Sequence, residues 1–386
     1  MSNKLSVISA GMVGGGTGSL ISESHRIAMR IDGKYNLVAG AFSRSQDKNT
    51  ETGIRLGVSA DRVYADFKEM AKKEAGREDG IRIVSVVTPN DSHFEICKTF
   101  LEAGIHVICD KPLTGDSASS AELKKLADSR NLILALTHNY SGYEMVREAA
   151  TLVRSGELGE IRIVCAEHAT GWASEPLENI NHKQASWRTD PKAAGMASVM
   201  FDLGTHAHHL LRFVTGLEVT EVAADMWTSV PGRKVYDDAR ANLKLSNGAR
   251  GSLWASMTAT GNEHGLRIRV YGTKASLEWY HEDPQHLTIR YKNGNCVVKS
   301  HGQPANSKQA SRHIRIAGGH PEGFLEAFAN IYSEFAEDVQ KRQAGTKVTK
   351  DPLSYPDAED GVRGVRFVEA TLQSHESGGA WVKVPN

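Results

Sequence analysis

Nowhere in the 386 residues does an apolar run reach about eighteen, the length a membrane-spanning helix needs, so no such helix is expected. Cysteine is scarce and scattered. The four, Cys97, Cys109, Cys165 and Cys296, make no CxxC pair, which argues against a zinc ribbon or disulfide scaffold and predicts reduced thiols in a cytoplasmic protein. Net charge is missing too. The 46 Lys and Arg balance 46 Asp and Glu, leaving no field for nucleic acid or an anionic membrane and favouring a small, locally recognised partner. The opening MSNKLSVISAGMVGGG breaks into glycines too early for a signal-peptide core. No repeat, low-complexity tract or long linker is visible, and the length predicts two domains.

What is present changes texture once. LSVISAGMVG, YNLVAGAFS, IRIVSVVTP, HVICDKP and LILALTH read as strands, with helical spacing in SLISESHRIAMRID, DFKEMAKKEAG, HFEICKTFLEAG and SAELKKLADSRN between them. This alternation predicts a parallel α/β sheet, covered on both faces, over residues 1–138. Residues 139–386 begin with the helix SGYEMVREAATLVRSG and continue as successive strands: IRIVCAEHAT, TEVAADMWTSV, ARANLKLSNG, RGSLWASMTAT, LRIRVYGTKASLEWY and HLTIRYKNG. A large, mostly antiparallel open sheet of α+β type is predicted, with FDLGTHAHHLLRFVTG and GFLEAFANIYSEFAEDVQKR as helices packed on it. The polar residues 299–320 read as a surface loop.

VGGGTGS follows the first strand and opens a helix, supplying G-x-G-x-x-S at Gly14, Gly16 and Ser19, with Thr17 in the turn. Such a turn needs positive φ and lets the backbone approach a pyrophosphate seated on the helix N-terminus, which predicts a dinucleotide-binding Rossmann domain. The second strand ends in Ser43 and Arg44 where an acid normally meets the ribose of NAD. A guanidinium there suits a 2′-phosphate or lies over an adenine, so the cofactor is NAD or NADP. Thr88, Pro89 and Asn90 in VVTPNDSH end the buried third strand, where they would border the nicotinamide, and His93 starts the next helix beside them. Asp110 and Lys111 follow the fourth strand, and Pro112 fixes the chain so that the lysine is held in a defined direction.

The chain resembles the glucose-fructose oxidoreductase, inositol dehydrogenase and MocA-like family over nearly its whole length. The resemblance rests on the glycine turn, VVTPNDSHFEI, DKP where the family more often has EKP, VRSGELGEI and DLGTH. It implies an NAD(P)-dependent oxidoreductase acting on a secondary hydroxyl of a sugar, sugar derivative or inositol. It also implies that Lys111, Asp202 and His206 line the reacting carbon, and that the open sheet makes homodimer or homotetramer contacts.

The residues support that chemistry independently. Oxidising a carbinol requires its hydroxyl proton to leave as hydride goes, and imidazole is suited to take it. Asp202 and His206, spaced i to i+4, share a helix face, so the carboxylate could orient the ring or hold another hydroxyl. Lys111 from the other domain would stabilise alkoxide charge. A metal held by Asp202, His206 and His209 is the weaker alternative, because no H-E-x-x-H or cysteine partner accompanies them, and no metal is expected. His208 lies about 200 degrees round the helix from His206, outside any such site.

For the substrate, Trp187 beside Arg188 suits a hydroxylated ring. By resemblance, SWRTDP, Tyr140 and Tyr143 of HNYSGY, and His320 of GGHPEGF face carbohydrate. Lys183 with Arg188 would also suit an anionic substituent. This keeps open an NAD-dependent glycosidase that works by transient ring oxidation, elimination and re-reduction. A third reading, a sugar or nucleotide sensor without chemistry, is disfavoured by the intact Lys111, Asp202 and His206 set.

Overall fold

The computed structural model describes residues 7–19, 21–180, 182–346 and 348–385. Contacts divide the chain into two compact units. The first comprises Met1–Thr114, Ala118–Gly142 and Phe324–Val362; the second comprises Gly115–Ser117, Tyr143–Gly323 and Arg363–Asn386.

In the first unit, strands β1 (Ile8–Gly14), β2 (Tyr35–Ala41), β3 (Ile83–Val87), β4 (His106–Cys109) and β5 (Leu134–Leu136) form a parallel sheet in the order β2-β1-β3-β4-β5. β3 shows why: IVSVV is buried throughout, and its side chains alternate between two cores, Val84 and Val86 in one, Ile83 and Val87 in the other. A strand apolar on both sides needs helices on both faces. The first core is roofed by the helices Phe67–Ala75 and His93–Glu102. The second is roofed by Ile21–Ile31 and by Phe324–Gln343, which supplies the fully buried Phe328, Tyr332 and Phe335.

That last helix departs from the sequence expectation, which packed it on the antiparallel sheet. Its apolar stripe is indifferent to which sheet it covers, and it lies against Ile21–Ile31 instead. The division at residue 138 is therefore crossed by later chain, with Phe324–Val362 belonging to the first unit. The long helix Ala358–Glu376 was not anticipated, because Gly361 and Gly364 interrupt its pattern.

The second unit holds a nine-stranded sheet: β6 (Ile161–Ala169), β7 (Val219–Trp227), β8 (Asp238–Leu245), β9 (Arg250–Ser256), β10 (Gly265–Gly272), β11 (Ala275–Tyr280), β12 (His286–Tyr291), β13 (Cys296–Ser300) and β14 (Val382–Lys383). Their order is β13-β12-β11-β10-β6-β9-β8-β7-β14, antiparallel except for the parallel pair β6 and β9. LRIRVYGTKASLEWY, expected as one segment, is the hairpin β10–β11.

Along β6 the buried Val164, Ala166 and His168 alternate with the more exposed Ile163, Cys165 and Glu167. The helix Thr205–Thr215 packs against β6 and against the helix Glu144–Arg154. The opposite face carries the ion pairs Arg269 to Glu167 and Arg267 to Glu278, with Arg240 over the Trp254 ring. The expected loop at 299–320 is strapped to the helix Glu144–Arg154. Glu144 accepts from the Gly302 N–H and the Asn306 amide, and Glu148 accepts from the Ser307 N–H.

Candidate active site

In the first unit the glycine turn is shaped by close approach. Gly14 and Gly15 have φ of 87° and 81°. A Cβ on Gly15 would fall 2.8 Å from Ser22 Cβ, and one on Gly16 3.0 Å from the Phe42 carbonyl oxygen, to which Gly16 N–H already donates at 2.9 Å. Only a side-chain-free turn seats the helix Ile21–Ile31 this tightly against the end of β2, leaving Thr17 and Gly18 exposed above it. Ser19 N–H closes the turn on the Gly16 carbonyl at 3.0 Å. Arg26, which the sequence did not single out, clamps it from the helix by donating to the Gly15 carbonyl at 2.9 Å. At the end of β2, Asn49 accepts from the N–H groups of Phe42 and Ser43, and Arg44 is exposed. Backbone approach at the turn is what a dinucleotide's pyrophosphate demands, and Arg44 stands where NAD-binding domains normally carry an acid.

Beyond β3, Thr88 and Asn90 are half-buried and Pro89 is exposed. His93 is fully buried, its ring nitrogens 2.8 Å from the Pro112 carbonyl and 2.9 Å from the Thr88 carbonyl. It ties the turn after β3 to the turn after β4, so its place is that of a strut between the two turns. Asp110 accepts from the Lys111 N–H at 2.9 Å and from Thr137 Oγ1 at 2.8 Å, which orients the backbone of the lysine. Behind it lies a buried polar group: His25 Nδ1 is 2.7 Å from the Tyr332 hydroxyl, itself 2.9 Å from Ser85 Oγ. Burial pushes the His25 ring down to about 4 despite the opposing charge of Asp110, so it is neutral near pH 7. Tyr140 packs edge-on to Phe324 and is 5 % exposed.

In the second unit, Asp202 does not lie on an α-helix. Met200–Gly204 is a single π turn, in which Thr205 N–H reaches back to the Met200 carbonyl, and the α-helix Thr205–Thr215 follows. π turns cluster at functional sites. His206 is 7 % exposed at the start of that helix. Arg188 Nε donates to Asp202 Oδ2 at 2.9 Å, and Arg188 Nη1 donates to Gln184 Oε1.

The guanidinium sits 4.2 Å from the Trp187 ring centroid and 5.8 Å from that of Trp172. Arg188, lying over the Trp187 ring, thus holds Asp202. Trp172 and Gln184, which complete the group, carry no spacing signal in the sequence. His182 accepts from Ala185 N–H and caps the short helix Lys183–Arg188, on which Lys183 is exposed. Tyr143 is buried against Trp279, with its hydroxyl 3.2 Å from His281 Nε2. His320 is exposed. His208 stacks on Phe367 with ring centroids 4.2 Å apart, a packing role that fits its place opposite His206. His209 lies beside Phe213. Among the described residues no group of three or more His, Cys, Asp or Glu is arranged to hold a metal ion.

Residues 8–138 match the oxidoreductase family with an NAD-binding Rossmann fold, and residues 146–278 match the GFO/IDH/MocA C-terminal domain. The uncharacterized oxidoreductase YfiI of Bacillus subtilis (strain 168) is 36 % identical over 378 residues, covering 96 % of this chain and 95 % of that protein. An inositol dehydrogenase homolog from Azotobacter vinelandii, complexed with NAD+, is 37 % identical with a TM-score of 0.93, covering 98 % of this chain and 97 % of that one. A structure of an inositol dehydrogenase homolog from the same organism, complexed with NADH and myo-inositol, is 35 % identical with a TM-score of 0.88, covering 98 % of this chain and 97 % of that one. With the glycine turn built for a dinucleotide and both halves of the chain matched, the protein belongs to the GFO/IDH/MocA family of oxidoreductases, and its first unit is an NAD-binding Rossmann domain.

Proposed function

We propose that the chain oxidises a secondary hydroxyl of an inositol or a sugar by hydride transfer. Bound NAD or NADP supplies the hydride acceptor. The observation that carries the reading is the Arg188–Asp202 ion pair on the π turn leading into His206. It fixes a carboxylate one turn before an imidazole suited to take a hydroxyl proton. Lys111, whose backbone is oriented by Asp110, stabilises the developing alkoxide. Asp202 orients the His206 ring or a neighbouring hydroxyl, and the Trp187 face packs on the CH side of the ring. The relative complexed with myo-inositol supports the substrate class.

The direct test is a panel of inositols, sugars and glycosides with NAD and with NADP, following cofactor reduction and aglycone release together. Reduction without aglycone release is the expected result. Release without net reduction would replace this reading with the glycosidase, and cofactor binding with no turnover would replace it with the sensor.

The cofactor's second phosphate is read by Arg44. Arg44→Ala should weaken NADP by about tenfold, the loss of one charge-assisted hydrogen bond, and leave NAD little changed. Titration calorimetry with both cofactors checks this; equal weakening would place Arg44 over the adenine. We further propose that the protein is cytoplasmic and assembles as a homodimer or homotetramer through the open sheet face, where the cross-strand partners Ile163 and Tyr271 are 49 % and 38 % exposed.

A further inference from the structure

Four imidazoles stand in a row along one end of the second unit's sheet. His168 is near the end of β6, His264 immediately precedes β10 and His281 immediately follows β11. The strand register brings these positions together, with Leu266 opposite His168 and Arg267 opposite Tyr280. His206 meets His168 edge-on with ring centroids 5.6 Å apart; His168 meets His264 at 4.7 Å, and His264 meets His281 at 4.6 Å.

His168 is fully buried, and both its nitrogens face polar atoms. Nδ1 is 3.2 Å from the Leu203 carbonyl oxygen, and Nε2 is 3.2 Å from His264 Nε2. A carbonyl only accepts, so Nδ1 carries the hydrogen; Nε2 of a neutral ring then accepts from His264 Nε2–H. Leu203 lies inside the π turn Met200–Gly204, between Asp202 and His206. Turns of this type are rare, and His168 both bonds to one carbonyl of this one and abuts the His206 ring.

We infer that His168 is a positioning residue for the reaction, holding the Asp202–His206 turn through its Nδ1–H bond to Leu203 in the tautomer that leaves Nε2 to accept from His264. This deepens the proposed function and rests on it for the role of His206. The far end of the row fits the assignment. Burial and the neighbouring His264 push His281 down to about 3, so it stays uncharged and adds no positive charge near an imidazolium forming on His206. No sequence pattern announces the row, because its members sit on four separate elements that only the register brings together.

Isosteric substitutions in the full chain test the bond. Asparagine places its amide nitrogen near the position of Nδ1, whereas glutamine reaches the position of Nε2. His168→Asn should therefore keep kcat near the parent value. His168→Leu and His168→Gln should lower it by about tenfold, the cost of one buried hydrogen bond, with little change in KM or in NAD affinity. If all three variants turn over at the parent rate while the parent oxidises its substrate, the inference fails and the proposed function stands.

Side-chain nitrogen NMR of the histidines reads the tautomer whether or not a substrate is known. Hydrogen on His168 Nδ1 and on His264 Nε2 is expected. Hydrogen on His168 Nε2 alone would overturn the assignment even if the panel finds no substrate.

Discussion

Replacing His206 by asparagine will lower kcat for alcohol oxidation by about 10²–10⁴-fold, the range a positioned general base contributes. NAD affinity will be unchanged, because the nucleotide turn belongs to the other unit. Asparagine keeps a hydrogen-bonding group of similar size but cannot take a proton. The hydroxyl must then lose its proton to water while hydride departs.

Lys111→Ala removes the cation proposed to stabilise the alkoxide rather than the base, and should cost about 10²–10³-fold in kcat, as loss of one oxyanion donor does. Asp202→Asn retains an acceptor and leaves His206 in place, so its loss should be smaller than that of His206→Asn. It also takes away the charge that pairs with Arg188, whose guanidinium lies near the Trp187 and Trp172 rings. Steady-state NADH formation with the best alcohol of the panel measures all three. Near-parent turnover by His206→Asn would remove this residue from the chemistry.

Mild acid will destabilise the first unit. His25 and His106 are both buried there, and burial pushes each down to about 4 from an ordinary 6.5. The His106 ring accepts from the Ile133 N–H at 2.9 Å through Nδ1, a bond that suits the neutral form. Between about pH 6.5 and pH 4 the unfolded chain binds a proton at each ring and the folded chain does not, so unfolding becomes easier as pH falls through that window. Each ring contributes about 1.4 kcal/mol per pH unit, so the pair gives about 3. Across two units the loss reaches about 5 kcal/mol, comparable with the whole stability of many domains, about 5–15 kcal/mol. Above about pH 6.5 the slope from these groups vanishes. Denaturant unfolding of the full chain at a series of pH values measures it, and His106→Gln, whose amide oxygen can still accept from Ile133, should lower the slope by about 1.4 kcal/mol per pH unit. A stability that stays flat from pH 7 to pH 5 would contradict the neutral burial of both rings.

The fold was largely legible from two local signals: the βα alternation of the first part and the run of strands in the second. Each strand's apolar period reports its own burial, so β3 could be recognised as covered on both faces. What escaped were partnerships between distant segments. Nothing in FLEAFANIYSEFAEDVQKR states which sheet its stripe will cover. The catalytic candidates could be named from the sequence because DKP and DLGTH are contiguous. Arg26, Trp172, Gln184 and His168 were missed because each acts through a neighbour supplied by another element. The π turn at Asp202 has the sequence pattern of ordinary helix, since one widened turn leaves the residue pattern almost unchanged.

The return of Phe324–Val362 to the first unit has a consequence for how the protein is made. Phe328, Tyr332 and Phe335 cover one face of the Rossmann sheet. On the ribosome, strands β1 to β5 emerge long before that cover is synthesised, and the part of the face that Ile21–Ile31 does not roof stays open until nearly the whole chain has been translated. The nucleotide-binding part is therefore no detachable module. A gene fragment ending after β5 would encode an unfinished layer that is prone to aggregate, and a graft of this domain would have to carry the distant helix with it.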